Sequence, residues 1–365
     1  MTWLFLIPVA YQFVALIACI RRMFQTRPQP LAMPPISILK PVRGIDPLFY
    51  SVVCSHAQQD YPHFELLFAV SDRNDPAVPI IERAIAEFPE CRIKLIVRST
   101  VTPNPKVGAL IDLEKEALYD VLLVNDGDIR VPQGYLKTLA AELERPGIGL
   151  VTALYRARAA HFPGQLEALG VATDFAPSTL VAPFVGVSEF AMGSTLCFRR
   201  ADLRAVGGFE AIADYLADDY QLGRLITRSG KRTHLSSCIV ETSLGARTWR
   251  EAWDHQLRWA RTIRVSRGGV LGYLGLPVTF ATLWAVVAFL TGNPLIGFVL
   301  FALRFNVAVL AALMILEDRN VVFRLSLMPV RDIAGVAIWV AGLFGNTVQW
   351  GGHRLTLHPD GRIRK

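Results

Sequence analysis

Residues 3–20 form an unbroken run without a charged side chain, and Arg21, Arg22 and Arg27 follow it closely. A helix of about 20 apolar residues spans the hydrocarbon core, and in lipid every backbone amide must be satisfied within its own segment. The run therefore reads as a transmembrane helix. A cleaved leader would carry its basic residues before the apolar run, not after it. Arginines on the C-terminal flank place the soluble residues beyond them on the cytoplasmic side. Three more apolar segments lie near the other end, at residues 270–290, 295–316 and 333–350, with Arg304 inside the second. An intramembrane arginine is costly enough to face inward or reach a headgroup. Four full spans would put the tail, with Arg354, Arg362, Arg364 and Lys365, outside, against the positive-inside rule. Either one segment is re-entrant or interfacial, or the rule is broken here.

The excess of apolar residues, 52% of the chain, sits at these two ends and leaves a soluble middle. After a proline-containing linker at 27–35, short branched or aromatic runs at 36–42, 64–70, 93–97 and 121–124 read as strands. Segments 76–88 and 106–119 between them have helical spacing. Alternating strand and helix predicts an α/β domain with a mostly parallel, Rossmann-like sheet. Between 166 and 192 only Glu167, Asp174 and Glu189 are charged, and Pro177 and Pro183 are expected to interrupt any long helix. That segment is either membrane-surface, facing an acceptor, or a buried connection beneath the sheet. Residues 248–267 interleave Trp249, Trp253 and Trp259 with six arginines counted from Arg247 to Arg267, the pattern of an interfacial helix.

A net charge of +7 suits anionic headgroups or an anionic nucleotide. Nucleic acid is not expected, since no aromatic-studded basic stripe or zinc spacing is present. The five cysteines are scattered without a CxxC pair, which fits a reducing compartment and small buried hydrophobes. A dinucleotide oxidoreductase would need a glycine-rich turn after the first strand, and Lys40-Pro41-Val42-Arg43-Gly44 offers one glycine. A transporter or membrane scaffold would have no use for the chain's acidic clusters, and its apolar segments are too few for a transporter repeat.

Four clusters occur in order. Asp72 follows a strand and either accepts from a nucleobase or ribose or closes an Asx turn; Asp75, before Pro76, is the better helix cap. Asp126 and Asp128 end the run 122–124 and repel each other unless a cation lies between them, which makes them candidate ligands for a divalent ion, Mg or Mn, holding a diphosphate. Asp218 and Asp219 open a helical stretch as caps, or one of them serves as a general base. Arg258 and Trp259 suit a bidentate phosphate contact with a stacking partner, or an interfacial anchor.

Together these clusters resemble the inverting family 2 type glycosyltransferases of GT-A fold, and within them the ceramide glucosyltransferase-like branch. The resemblance rests on Lys40-Pro41-Val42-Arg43-Gly44, Asp75-Pro76-Ala77, Asn104-Pro105-Lys106, Asp126 to Val131, Gly193-Ser194-Thr195, Asp218-Asp219-Tyr220 and Arg258-Trp259. The stretch from His255 to Arg264 is similar to bacterial hopanoid-associated relatives, with His255 where the ceramide branch has Gln or Arg. The resemblance implies a UDP-sugar donor carrying glucose or N-acetylglucosamine, and a membrane lipid acceptor, ceramide, hopanoid or diacylglycerol. It implies a cation at Asp126 and Asp128, donor contacts from Lys40, Asp72, Lys106, Asp126, Asp218 and His255, Asp219 as base, and Arg258-Trp259 at the product diphosphate. A processive polysaccharide synthase shares the aspartates but needs more transmembrane helices. The expected division is an anchor at 1–27, a GT-A domain at 28–247, an interfacial helix at 248–269 and membrane helices with a basic tail at 270–365.

Overall fold

The computed structural model describes residues 2–26, 28–266 and 269–364; Arg27, Arg267 and Lys365, used above as basic flanks, lie outside the described residues. The chain forms two compact units that interleave in sequence. One, the sheet unit, holds Thr26–Tyr155, Ser188–Ser243 and the C-terminal end from Arg362; the other, the helical unit, gathers the N-terminal residues up to Gln25, Arg156–Val187 and Leu244–Gly361. Residues 156–187, read from sequence as part of the central domain, thus cluster with the terminal helices.

The sheet unit is built on eight strands: β1 (Ile36–Pro41), β2 (Phe64–Val70), β3 (Arg92–Val97), β4 (Val121–Val124), β5 (Ile129–Arg130), β6 (Ile148–Arg158), β7 (Leu196–Arg199) and β8 (Arg232–Ser243). Their order across the sheet is β3-β2-β1-β4-β7-β6-β8-β5. β1 pairs parallel with β2 and β4, and β2 with β3, with Ile36 opposite both Phe64 and Val121. Residues such as Ile36, Ile38, Leu66, Phe68, Leu122 and Leu123 are wholly buried, as strands covered on both faces must be. The expectation of a mostly parallel sheet holds for this half only. β7 runs antiparallel to β4 and β6, and β5 antiparallel to β8. Parallel pairing needs a helical crossover between neighbours, whereas the chain leaves for the helical unit between β6 and β7. The antiparallel β7 has a consequence for the site: Leu196 lies opposite Val124, so the residues just before β7 meet those just after β4.

In the helical unit the apolar run near the N-terminus forms a helix, Leu6–Met23. Four helices among the described residues are long and apolar enough to cross a membrane: Trp3–Met23, Phe162–Val185, Pro294–Ile315 and Leu325–Gly342, with Val270–Thr279 and Ala281–Leu290 a further pair bent by 65°. Two sequence expectations change. The run with Pro177 and Pro183 is one helical rod after all, because a π-helical turn, Val171–Phe175, precedes Pro177. Proline there cannot bond the carbonyl four residues back, that of Thr173, and the Arg304 guanidinium takes that carbonyl instead. The apolar segment 333–350 is not one helix: helix Met328–Gly342 ends, and Thr347–Trp350 pairs antiparallel with His353–Leu357.

Arg304 is buried and faces inward, donating from Nε (3.1 Å) and Nη2 (2.8 Å) to Asp332, whose other donor is Thr282. Both flanks of Phe162–Val185 return to the sheet unit, where Leu150 pairs with Phe198. The tail from Arg362 also belongs to the sheet unit, and Ile363 N–H donates to the Asp214 carbonyl (2.7 Å).

Candidate active site

The site forms at the carboxyl edge of the parallel strands, where open α/β sheets bind ligands. β4 ends at Val124 and the chain turns through Asn125 to Asp128. Asn125 is wholly buried and its amide donates to Tyr135 Oη (2.9 Å) and the Ser194 carbonyl (2.6 Å), which fixes the strand end. Asp126 N–H then donates to the Gly193 carbonyl (3.1 Å).

Lys106 enters from the helix Pro105–Glu116. Asn104 caps that helix, accepting from the Lys106 (3.0 Å) and Val107 (3.3 Å) amides, with Pro105 in the first turn. The Asn104 amide also donates to the Tyr215 carbonyl (2.7 Å). The phrase Asn104-Pro105-Lys106 is thus a helix start that aims an ammonium. Lys106 Nζ lies 2.7 Å from Asp126 Oδ1 and 2.9 Å from Asp218 Oδ2. Burial alone would lower the Lys106 amine, but Asp126, Asp218 and Asp219 hold it well above the ordinary lysine range.

Asp218 and Asp219 open the helix Asp218–Arg228. They are more than caps. Asp219 accepts from the Gly193 N–H (2.7 Å) and from the Tyr220 N–H (2.7 Å). Burial pushes Asp219 up to about 6, with the Asp218 charge adding to it and Lys106 opposing. Such a carboxylate takes a proton near neutral pH. Gly193 therefore ties Asp126 and Asp219 together through its carbonyl and its amide. A Cβ there would lie 2.7 Å from Asp126 Oδ2 and 3.2 Å from Lys106 Nζ. Its role was missed as a site residue in the sequence, where it stood only as a family phrase without chemistry of its own.

Asp128 accepts from Thr242 Oγ1 (2.6 Å), and burial followed by the Asp126 charge raises its carboxyl above the usual range. A buried carboxylate beside a second one is a donor set that a divalent ion would relieve, although no group of three His, Cys, Asp or Glu side chains among the described residues is arranged to hold a metal. Lys40 is wholly buried; its ammonium donates to the Asp126 carbonyl (3.0 Å), and burial pushes it down to about 7 against the pull of Asp128 and Asp126. It positions the Asp126 turn. Asp72 is exposed and accepts from the Asn74 amides, backbone (2.8 Å) and side chain (3.1 Å), so it closes an Asx turn. Asp75 accepts from Ala77 N–H at the next helix start and from Gly44 N–H.

The structure gathers Lys40, Lys106, Asp126, Asp218 and Asp219, with Asp128 on the same turn; His255, Arg258 and Trp259 belong to the helical unit. There they lie on the helix Trp249–Ser266, started by a capping box in which Thr248 N–H donates to Glu251 (2.8 Å) and Glu251 N–H to Thr248 Oγ1 (3.3 Å). His255 Nδ1 is 2.7 Å from the buried Glu167 carboxylate, which Arg247 also binds (2.8 Å). The His255 ring centroid is 5.0 Å from that of Trp259, which in turn is 5.9 Å from Phe175. Burial holds the imidazole below its ordinary pKa against the pull of Glu167. His255 is thus a packing partner of the motif tryptophan.

The family model for glycosyl transferase family 21 matches residues 1–363. The chain belongs to that family. Ceramide glucosyltransferase 1 of Caenorhabditis elegans is 27% identical over 216 residues, 58% of this chain and 46% of that protein. The ceramide glucosyltransferase of Candida albicans is 32% identical over 121 residues, 30% of this chain and 22% of that protein. The family 21 chain thus spans about half or less of the length of these relatives. Among solved structures, a mannosyltransferase from Pyrobaculum calidifontis in complex with GDP-Man and Mn2+ superposes with a TM-score of 0.51 at 18% identity, covering 93% of this chain and 99% of that one. The fold is of the GT-A type, as expected from sequence.

Proposed function

We propose that this family 21 chain is a membrane-bound inverting glycosyltransferase that moves glucose or N-acetylglucosamine from a UDP-sugar to the hydroxyl of a membrane lipid. The observation that carries the reading is the linked set of Asp126, Lys106, Asp218 and Asp219, joined through Gly193 at the carboxyl edge of the parallel strands. Asp219 is the general base: it takes the proton of the acceptor hydroxyl, whose oxygen bonds to the anomeric carbon as the bond to the diphosphate breaks. Its raised pKa suits that transfer. Lys106 neutralises the carboxylates around it and keeps Asp126 in place for the donor side.

Asp126 and Asp128 would hold a divalent cation, Mg or Mn, in keeping with the Mn2+ named for the Pyrobaculum calidifontis enzyme. Such an ion supplies charge neutralisation for a departing diphosphate. Arg258 and Trp259 are assigned to that diphosphate on the strength of their motif. The ceramide glucosyltransferase relatives support a lipid acceptor, and Arg21 and Arg22 in the last turn of the first helix support a cytoplasmic sheet unit, with access to a nucleotide-sugar. Purified protein incubated with labelled UDP-glucose or UDP-N-acetylglucosamine and a lipid extract, before and after exhaustive chelation, tests the reading. Label in the lipid phase that disappears on chelation and returns with Mn2+ is expected; no transfer from either donor overturns it.

A further inference from the structure

The helical unit contains a cavity of about 300 Å³ walled by all four long apolar helices and by Trp259 of the motif helix. Its lining is mostly apolar, with Phe175 beside Trp259, but two guanidinium–carboxylate pairs face it, and they differ. Arg304 and Asp332 are closed upon each other, with the Thr173 carbonyl and the Thr282 hydroxyl taking what is left. Arg331 and Asp174 are not. They approach only to 3.6 Å, beyond hydrogen-bond length, and neither side chain has another ion-pair or hydrogen-bond partner among the described residues. A guanidinium carries five N–H donors and a carboxylate about four acceptor sites, and leaving such groups unmet in an apolar wall is costly. The space for this guanidinium is built in, since a Cβ on Gly170 or Gly335 would lie 2.1 Å or 2.7 Å from Arg331 side-chain nitrogens.

We propose that this cavity binds the polar end of an uncharged, hydroxyl-bearing lipid, whose hydroxyl donates to Asp174 while a neighbouring oxygen accepts from Arg331. The volume is at the low end for pockets that take a drug-sized ligand, about 300 to 1,000 Å³, so it fits a head and its first carbons rather than complete chains. Two guanidiniums balanced by two carboxylates leave no surplus cation for a phosphate, and Asp174 would repel one. The binding goes beyond the glycosyltransferase reading and does not rest on it, since every residue that lines the cavity belongs to the helical unit.

The test uses full-length protein in detergent and a fluorescent short-chain ceramide, displaced by dioctanoylglycerol, dioctanoyl phosphatidic acid or phosphatidylcholine. Saturable binding is expected, displaced by dioctanoylglycerol at concentrations at least tenfold below those needed for the two phospholipids. Arg331→Met and the cavity-filling Ser178→Phe should each weaken it tenfold or more, Arg331→Lys less, with UDP binding unchanged. Phosphatidic acid displacing as well as dioctanoylglycerol, or phosphatidylcholine doing so, overturns the proposal, as does wild-type affinity in Ser178→Phe, which decides the matter if Arg331→Met fails to fold. Lipid binding without sugar transfer from any UDP donor upholds the cavity and removes the glycosyltransferase reading.

Discussion

Gly193→Ala is the sharpest perturbation of the proposed mechanism because it adds one methyl group and leaves both backbone hydrogen bonds of residue 193 available. The new Cβ would lie 2.7 Å from Asp126 Oδ2, against 3.4 Å for ordinary contact, so the carboxylate must retreat by about 0.7 Å. Lys106 Nζ, at 3.2 Å, must give as well. The Asp126 side chain is 40% exposed, so it has room to swing, and loosening a part-exposed pair costs at most about 1 kcal/mol of stability. Catalysis is less forgiving. A displacement of about 1 Å can cost about 10²-fold, so the expected loss in kcat/KM is about 10- to 100-fold, or roughly 1.4 to 2.7 kcal/mol of barrier. Steady-state transfer from UDP-glucose alongside thermal unfolding in detergent separates the two effects. A folded Gly193→Ala protein with kcat/KM within about twofold of wild type would refute the claim that residue 193 sets the Asp126 carboxylate.

Asp219→Asn should bind UDP with near wild-type affinity yet lose about 10²- to 10⁴-fold in transfer, while Asp218→Asn keeps far more activity; the reverse order in the same assay would exchange their roles. Because Asp219 is raised to about 6 and must be ionised to act, the transfer rate should climb as pH rises through about 6. The folded state holds that proton more tightly than the unfolded chain, so the same titration removes stability as pH rises, and Asp218→Asn, which deletes a charge that raises Asp219, should move the rate limb to lower pH. Arg304→Leu leaves the Asp332 carboxylate unpaired in the helical unit and should cost about 3–5 kcal/mol; thermal unfolding should show Arg304→Leu/Asp332→Leu to be the more stable of the two variants.

The parallel half of the sheet was legible because its strands are short, apolar and each closed by a helix start or an acid, as at Val124 and Val70. The antiparallel half was not, since β7 owes its direction to an excursion through the other unit that no local pattern records. The segment with Pro177 was misread for a related reason: the carbonyl that proline releases is met by Arg304, far along the chain. Thr347–Trp350 is four residues of an apolar run, and runs that short do not distinguish strand from helix. At the site, the charged residues announced themselves: Lys106 meets Asp126 and Asp218, and Asp72 accepts from Asn74 N–H. Gly193 acts only through backbone atoms and the space it leaves, which sequence does not display.

In the proposed mechanism Asp219 takes the acceptor proton in an inverting sugar transfer. The product anomer tests it most directly: wild-type and Asp219→Asn protein are incubated with UDP-α-glucose and a short-chain ceramide, and the glycolipid is analysed by mass spectrometry and proton NMR. A β-linked glucolipid from wild type, reduced at least about 10²-fold in Asp219→Asn while UDP binding persists, is the predicted result. An α-linked product, or equal yields from the two proteins, would contradict it.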